Sequence, residues 1–179
     1  MRCFVSINFS EEVEKEIRKI QSLLPKFSGK KTEPGSLHLT LKFLREVDEN
    51  KINGIIDRLR EINSEKFDAE IDSIGFFDNR KSRKYERQII IWLRMLNCEK
   101  LQKKVDNSLK SLFEMEKRFM SHITIARVKD VKDKKRFLEE LKKIKIPKIK
   151  FEVSEFYLMK SDLSKDKPTY TVLEKFKLN

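Results

Sequence analysis

The sequence predicts an α+β fold in which two pseudo-symmetric β-α-β-α-β halves, about residues 1–80 and 81–179, form the two lobes of a single domain over residues 1–179. Three observations predict it. First, the tetrads His38-Leu39-Thr40-Leu41 and His122-Ile123-Thr124-Ile125 hold the chain's only two histidines, each with threonine two places on. With five threonines in the chain, shuffling would place one after both histidines only about once in a thousand tries, which indicates an internal repeat. Second, the 84-residue shift between the histidines also carries Ile7 onto Ile91 and Phe67 onto Phe151, so the register survives the intervening helices and loops. Third, no Gly-, Pro- or Ser-rich linker divides the halves, which argues for lobes sharing one core.

Residues 2–9 read as a strand with Cys3, Val5 and Ile7 on one face. Ser10 can cap a helix whose first turn carries Glu11 and Glu12, the charge the helix dipole prefers there. Val13, Ile17, Ile20 and Leu24 form its apolar stripe, and Pro25 stops it. Gly29 to Gly35 reads as a basic loop. It leads into a strand from about Leu37 to Leu44, whose buried face is expected to be Leu37, Leu39, Leu41 and Phe43. Asp48 can cap a second helix with Ile52, Ile55, Ile56, Leu59 and Ile62 inward. A strand over about 67–76 follows, bent near Gly75, and then a long basic loop from Arg80 to Arg87.

The order then repeats. Ile89 to Met95 reads as a strand, and Asn97 as the cap of a helix carrying Leu101, Val105, Leu109 and Leu112. The strand with the second tetrad runs from about His122 to Val128. A Lys-rich helix with Phe137, Leu138, Leu141 and Ile144 ends before Pro147. Two strands, about 149–159 and 169–178, close the chain around a polar turn from Ser161 to Pro168.

In a strand, each tetrad puts His and Thr on one face and Leu or Ile on the other. Histidine titrates near neutrality, so one neutral and one protonated imidazole can serve as base and acid. Facing each other across a phosphorus centre, the pair suits in-line displacement. Thr40 and Thr124 can donate their hydroxyls to non-bridging phosphate oxygens, where charge develops. Arg127 can add a fixed positive charge. Strict alternation places it on the face opposite His122, so it is expected to reach round from the strand's end. No metal is expected, since two histidines without a third nearby Cys, His or carboxylate fall short of the usual three or four ligands. A Ser-His nucleophile at Ser121 is disfavoured because neighbours on a strand point to opposite faces.

These residues carry a resemblance to the 2H phosphoesterase superfamily, defined by two His-x-Thr-x motifs. More closely, the chain resembles the RNA 2′,3′-cyclic phosphodiesterases, also called 2′-5′ RNA ligases. The likeness runs from Met1-Arg2-Cys3-Phe4-Val5-Ser6-Ile7 through Leu37–Leu44 and Arg118–Val128 to Ser161-Asp162-Leu163, Tyr170 and Phe176-Lys177-Leu178. It implies a bilobal fold of antiparallel sheets lining a cleft, with helices outside and neither metal nor cofactor. It implies hydrolysis of RNA 2′,3′-cyclic phosphate ends to 2′-phosphomonoesters, and 2′-5′ ligation in some members. His38 would be the proton donor and His122 the proton acceptor, an order that could be reversed, while Arg127 matches the family's basic residue after the second motif. The sequence departs from the family at Ser121, usually Pro, and at Gly75-Phe76-Phe77-Asp78, commonly Gly-x-Phe-Pro. Arg87 is the nearest candidate for the Arg that often precedes the aromatic strand.

Composition bounds the partner. A net charge of +12 favours a polyanion, although 39% charged residues also suit a solvated or heat-adapted surface. Residues 129–150 hold ten Lys/Arg against four Asp/Glu, a stretch that reads equally as an RNA track or as a solvated helix face. Tyr85, Tyr157 and Tyr170 are candidates for stacking on a base. Expected partners are thus RNA ends or small cyclic-phosphate nucleotides; a non-catalytic RNA-binding module is the alternative from another class. Cys3 and Cys98 form no metal or disulfide pattern, and Cys98 could open a helix, which lowers a thiol pKa. With no apolar run near the roughly 18 residues of a membrane span and no signal-like N-terminus, the expectation is a cytoplasmic monomer.

Overall fold

The computed structural model describes residues 1–79, 88–162 and 168–179; the expected basic loop, with Tyr85 and Arg87, and the turn residues 163–167 lie outside them. In chain order the elements are β1 (Arg2–Asn8), α1 (Glu11–Ser22), β2 (Ser28–Lys31), β3 (His38–Glu46), α2 (Ile52–Arg60), β4 (Phe67–Asp78), β5 (Ile89–Leu96), α3 (Glu99–Ser108), β6 (His122–Asp130), α4 (Lys134–Lys143), β7 (Ile149–Val153), β8 (Glu155–Asp162) and β9 (Thr169–Lys177). The α+β class follows as expected. Every strand pairing among them is antiparallel, in the order β7-β4-β5-β6-β3-β1-β8-β9 with β2 also on β6. The strands therefore form one curled nine-stranded sheet rather than two separate ones.

Two seams join the halves, and both obey the repeat. Leu39 pairs with Ile123, and Asp68 pairs with Glu152, each partner being 84 residues from the other. A pseudo-two-fold axis thus passes through both seams. The third strand of each half is exchanged: β4 pairs with β5, and β8 pairs with β1. The strand expected over 149–159 is split at Ser154 for this reason, its first part closing on β4 and its second crossing to β1.

The helices share one face of the sheet. Val13, Ile17 and Ile20 of α1, Ile55 and Leu59 of α2, Leu101 and Val105 of α3, and Phe137 and Leu141 of α4 join Leu39, Leu41, Ile123 and Ile125 in one buried cluster. Ser10 caps α1 through the amide of Val13 at 3.4 Å. Asp48 instead precedes a 3-10 turn, Glu49–Lys51, with no side-chain cap bond. Asn97 is not a cap either: it takes φ 71° and its amide donates to Asp68 O at 2.9 Å, turning β5 into α3 and leaving Cys98 at the cap position. Leu112 falls beyond the end of α3 and is 43% exposed. Because α4 buries Phe137 and Leu141 in this cluster, its lysines lie on the helix side of the sheet, away from the tetrads.

Two further differences have a common cause. Residues 28–31 are a strand, not loop, because β2 takes the free edge of β6 beyond the seam. In both β3 and β6 one residue is inserted after the tetrad's threonine. Val5 pairs with Lys42 but Ser6 with Thr40, and Ile91 pairs with Ala126 but Trp92 with Thr124. These β-bulges leave Leu41 and Lys42, and likewise Ile125 and Ala126, all buried, and they reverse the alternation beyond. Phe43, expected in the core, is 58% exposed, while Leu44 is buried in its place.

Candidate active site

The bulges build the site. His38 and Thr40, and His122 and Thr124, lie half-buried on the face of the sheet opposite the helix core. The inserted residue then returns Arg127 to that same face, which removes the alternation problem posed by its five-residue distance from His122. Its charge reaches His38, His122 and Tyr170 alike. Ile125, the bulge residue, is held from two sides: its carbonyl accepts from Gln21 Nε2 and from the Thr32 amide, both at 2.9 Å. Thr32 Oγ1 also donates to Thr124 O at 2.8 Å.

At the seam only Leu39 and Ile123 are paired, and antiparallel register on either side turns His38 toward Thr124 and Thr40 toward His122. Each histidine is fixed in the same way. His38 Nδ1 lies 2.8 Å from Ser36 O and His122 Nδ1 lies 2.8 Å from Met120 O, again 84 residues apart. A carbonyl only accepts, so Nδ1 carries the proton and Nε2 is left to exchange protons with a ligand. Burial holds both imidazoles below their ordinary pKa. Those carbonyl bonds oppose the shift, whereas the charge of Arg127 adds to it at both rings, and that of His122 adds to it at His38.

Aromatic rings wall the site, and the sequence flagged only one of them. Tyr170 stands edge-on to His38 at 5.1 Å between centroids, Phe4 lies 4.8 Å from His38, and Phe77 stands edge-on to His122 at 5.3 Å. Trp92, opposite Thr124 on β5, packs 5.2 Å from Phe77 and over Gly75, where a Cβ would come within 2.4 Å of the indole. That contact explains the glycine at the expected bend; β4 itself runs on without a break to Asp78. Tyr157 instead donates to Glu155 at 2.6 Å. A cavity of about 190 Å³ opens beside His38, lined in part by Asn8, Glu14, Met159 and Tyr170.

The two alternative nucleophiles recede. Ser121 is buried and donates to Met95 O, and Cys98 lies 3.2 Å from its hydroxyl. Burial pushes the Cys98 thiol up to about 11, the reverse of the activation that a helix start suggested. Among the described residues no three His, Cys, Asp or Glu side chains group as metal ligands, and no helix is long and apolar enough to cross a membrane.

Known proteins share this architecture. The family described as LigT like phosphoesterase matches residues 7–85 and 97–170. The RNA 2′,3′-cyclic phosphodiesterase of Methanocaldococcus jannaschii is 32% identical over 98% of this chain and 100% of its own. The protein of the same name from Thermotoga maritima is 34% identical over 97% of this chain and 93% of its own. Among solved structures, a Thermus thermophilus protein superposes with a TM-score of 0.79 at 25% identity, covering 99% of this chain and 98% of the other. LigT of E. coli, crystallised with 3'-AMP, gives 0.75 at 23% identity over 99% and 97%, a likeness of fold. With the family matched across most of both halves and full-length relatives above 30% identity, the chain belongs to the LigT-like phosphoesterases of the 2H phosphoesterase superfamily.

Proposed function

We propose that this protein is an RNA 2′,3′-cyclic phosphodiesterase that opens cyclic ends to 2′-phosphomonoesters. The observation that carries the reading is the pair of seam-related histidines, each with Nδ1 tied to a carbonyl and Nε2 available, on one face with Arg127. Its relatives' names supply the substrate class.

His122 Nε2 takes a proton from water as the water oxygen bonds to phosphorus. The P–O3′ bond breaks in line, and His38 Nε2–H gives its proton to O3′, leaving the phosphate on O2′. Thr40 and Thr124 donate to the non-bridging oxygens, and Arg127 balances their charge. The anionic substrate raises both histidine pKa values, offsetting the depression in the free site. With an RNA 5′-hydroxyl in place of water, the same displacement yields a 2′-5′ diester, which is the reversible ligation. The cycle needs no metal, and the chain is read as a cytoplasmic monomer.

The test is incubation with an oligoribonucleotide ending in 2′,3′-cyclic phosphate, in EDTA. Conversion to the 2′-phosphate is expected, slowed by at least about 10² in His38→Ala and in His122→Ala. Full activity in either variant overturns the mechanism, and an inert wild type favours a binding module.

A further inference from the structure

The pseudo-two-fold axis relates the two catalytic tetrads but not what lies beyond them. The 84-residue shift carries Phe43 onto Arg127, so the position just past the bulge is an exposed aromatic in one lobe and a cation in the other. It also carries Lys30 onto Glu114. Glu114 lies instead on the helix side of β3, where its carbonyl accepts from buried Lys42 Nζ at 2.7 Å, so the strand pairing of Lys30 on β6 has no counterpart there. Just past the bulge, then, the β6 end of the cleft presents a cation where the β3 end presents an aromatic ring.

Lys30 pairs directly with Arg127 across β2 and β6. Directly opposed residues share a face, with Cβ atoms about 5 Å apart, so exposed Lys30 stands beside Arg127 on the tetrad side of the sheet. Lys31 pairs with Ala126, which is buried toward the helices, and so belongs to the other face. The register is held tightly. A Cβ on Gly29 would lie 2.2 Å from Arg127 O, so only glycine allows β2 so close. The reacting phosphate already has Thr40, Thr124 and Arg127. Lys30 sits one strand across from Arg127 and level with it, farther along β6 from the seam than the tetrad.

We propose that Lys30 binds the phosphodiester preceding the terminal nucleotide, so that the site selects an RNA strand over a cyclic mononucleotide and the strand leaves by the Arg127–Lys30 end. This rests on the hydrolytic reading above and adds the substrate's length and direction.

The experiment compares a 2′,3′-cyclic mononucleotide with a tetraribonucleotide ending in that same nucleotide. In Lys30→Gln the ratio of kcat/KM for tetranucleotide over mononucleotide falls about tenfold, through the tetranucleotide's KM, as expected for loss of one charge-assisted phosphate contact. The slope of log KM against log salt becomes shallower by about 0.7 on the tetranucleotide. Lys31→Gln leaves the ratio unchanged. An unchanged ratio in Lys30→Gln, or equal loss on both substrates, overturns the proposal while leaving the hydrolytic reading intact. A wild type inert on both substrates overturns that reading, and this one with it.

Discussion

Leu39 lies opposite Ile123 at the one point where the two tetrad strands meet, and the pair sits on the molecule's pseudo-two-fold axis. Everything catalytic is measured from it. One residue to either side, each histidine is turned toward the threonine of the other tetrad, so the two motifs interlock as a single site. On the proposed mechanism each threonine serves the phosphate oxygens in the other histidine's half of the reaction. Thr40→Val and Thr124→Val should each lower kcat by about 10²–10³ with little change in Tm, because both side chains lie half-buried on the face opposite the helix core. A loss confined to KM in steady-state assays would mean that the threonines only bind.

Arg127 links geometry to pH. Burial, then Arg127's charge, hold the His122 pKa below its ordinary 6.5; at His38 the charge of His122 also contributes. The alkaline limb of kcat/KM reports loss of the protonated histidine in the free enzyme, so it should begin below the ordinary value. Removing a neighbouring cation raises both values. Arg127→Ala should therefore shift the whole kcat/KM profile to higher pH, besides lowering its maximum. A rate loss with an unmoved profile would show that the guanidinium acts on the substrate alone.

Most of the site could be read from residue types, and most of what could not depends on the bulges. The tetrads and the α1 cap at Ser10 speak through local pattern. The 84-residue register holds at the two seams but not in the first strands: Ile7 faces Leu39, and the residue that faces Ile123 is Leu93 rather than Ile91. A bulge does not speak through local pattern, because His38 to Phe43 alternates cleanly and gives no sign of the inserted residue. A subtler signal was present in both repeats: Leu39, Leu41 and Leu44, like Ile123, Ile125 and Val128, step by two and then by three. That change of step is the bulge, and it moves Arg127 into the cleft and Phe43 out of the core. The split at Ser154 and the edge strand β2 depend on partners more than 80 residues away, which no local pattern encodes. Nothing in the local pattern singles out Phe4 and Phe77, because only the fold places histidine rings beside them.

Lys42 and Asp106 form a buried ion pair that ties β3 to α3. Asp106 also accepts from the Glu116 amide at 2.8 Å, fixing the segment that leads to His122. Lys42→Ala or Asp106→Ala leaves the other charge buried alone and should cost about 3–5 kcal/mol, read as a shift in the urea midpoint at constant m. Lys42→Met with Asp106→Leu should recover much of that, though not all, since Glu114 O and the Glu116 amide lose their partners. A double variant as unstable as either single would show that the backbone bonds, not the stranded charge, dominate.

Gly29 and Gly54 make a paired test of how β2 is held. At Gly54, inside α2, an added Cβ meets nothing within 4 Å, so Gly54→Ala should be neutral or stabilising by up to about 1 kcal/mol. At Gly29 the φ of 151° and the approach to Arg127 O and Val128 Cα leave no room, so Gly29→Ala must push β2 off β6. The expected cost is about 1–3 kcal/mol by denaturant unfolding. The lost edge frees the Thr32 bonds to Thr124 O and Ile125 O, which hold the bulge that aims Arg127. Activity should therefore fall further than stability explains, with KM rising at temperatures where the variant is fully folded. Normal KM in folded Gly29→Ala would mean that Gln21 and β5 hold the bulge without β2.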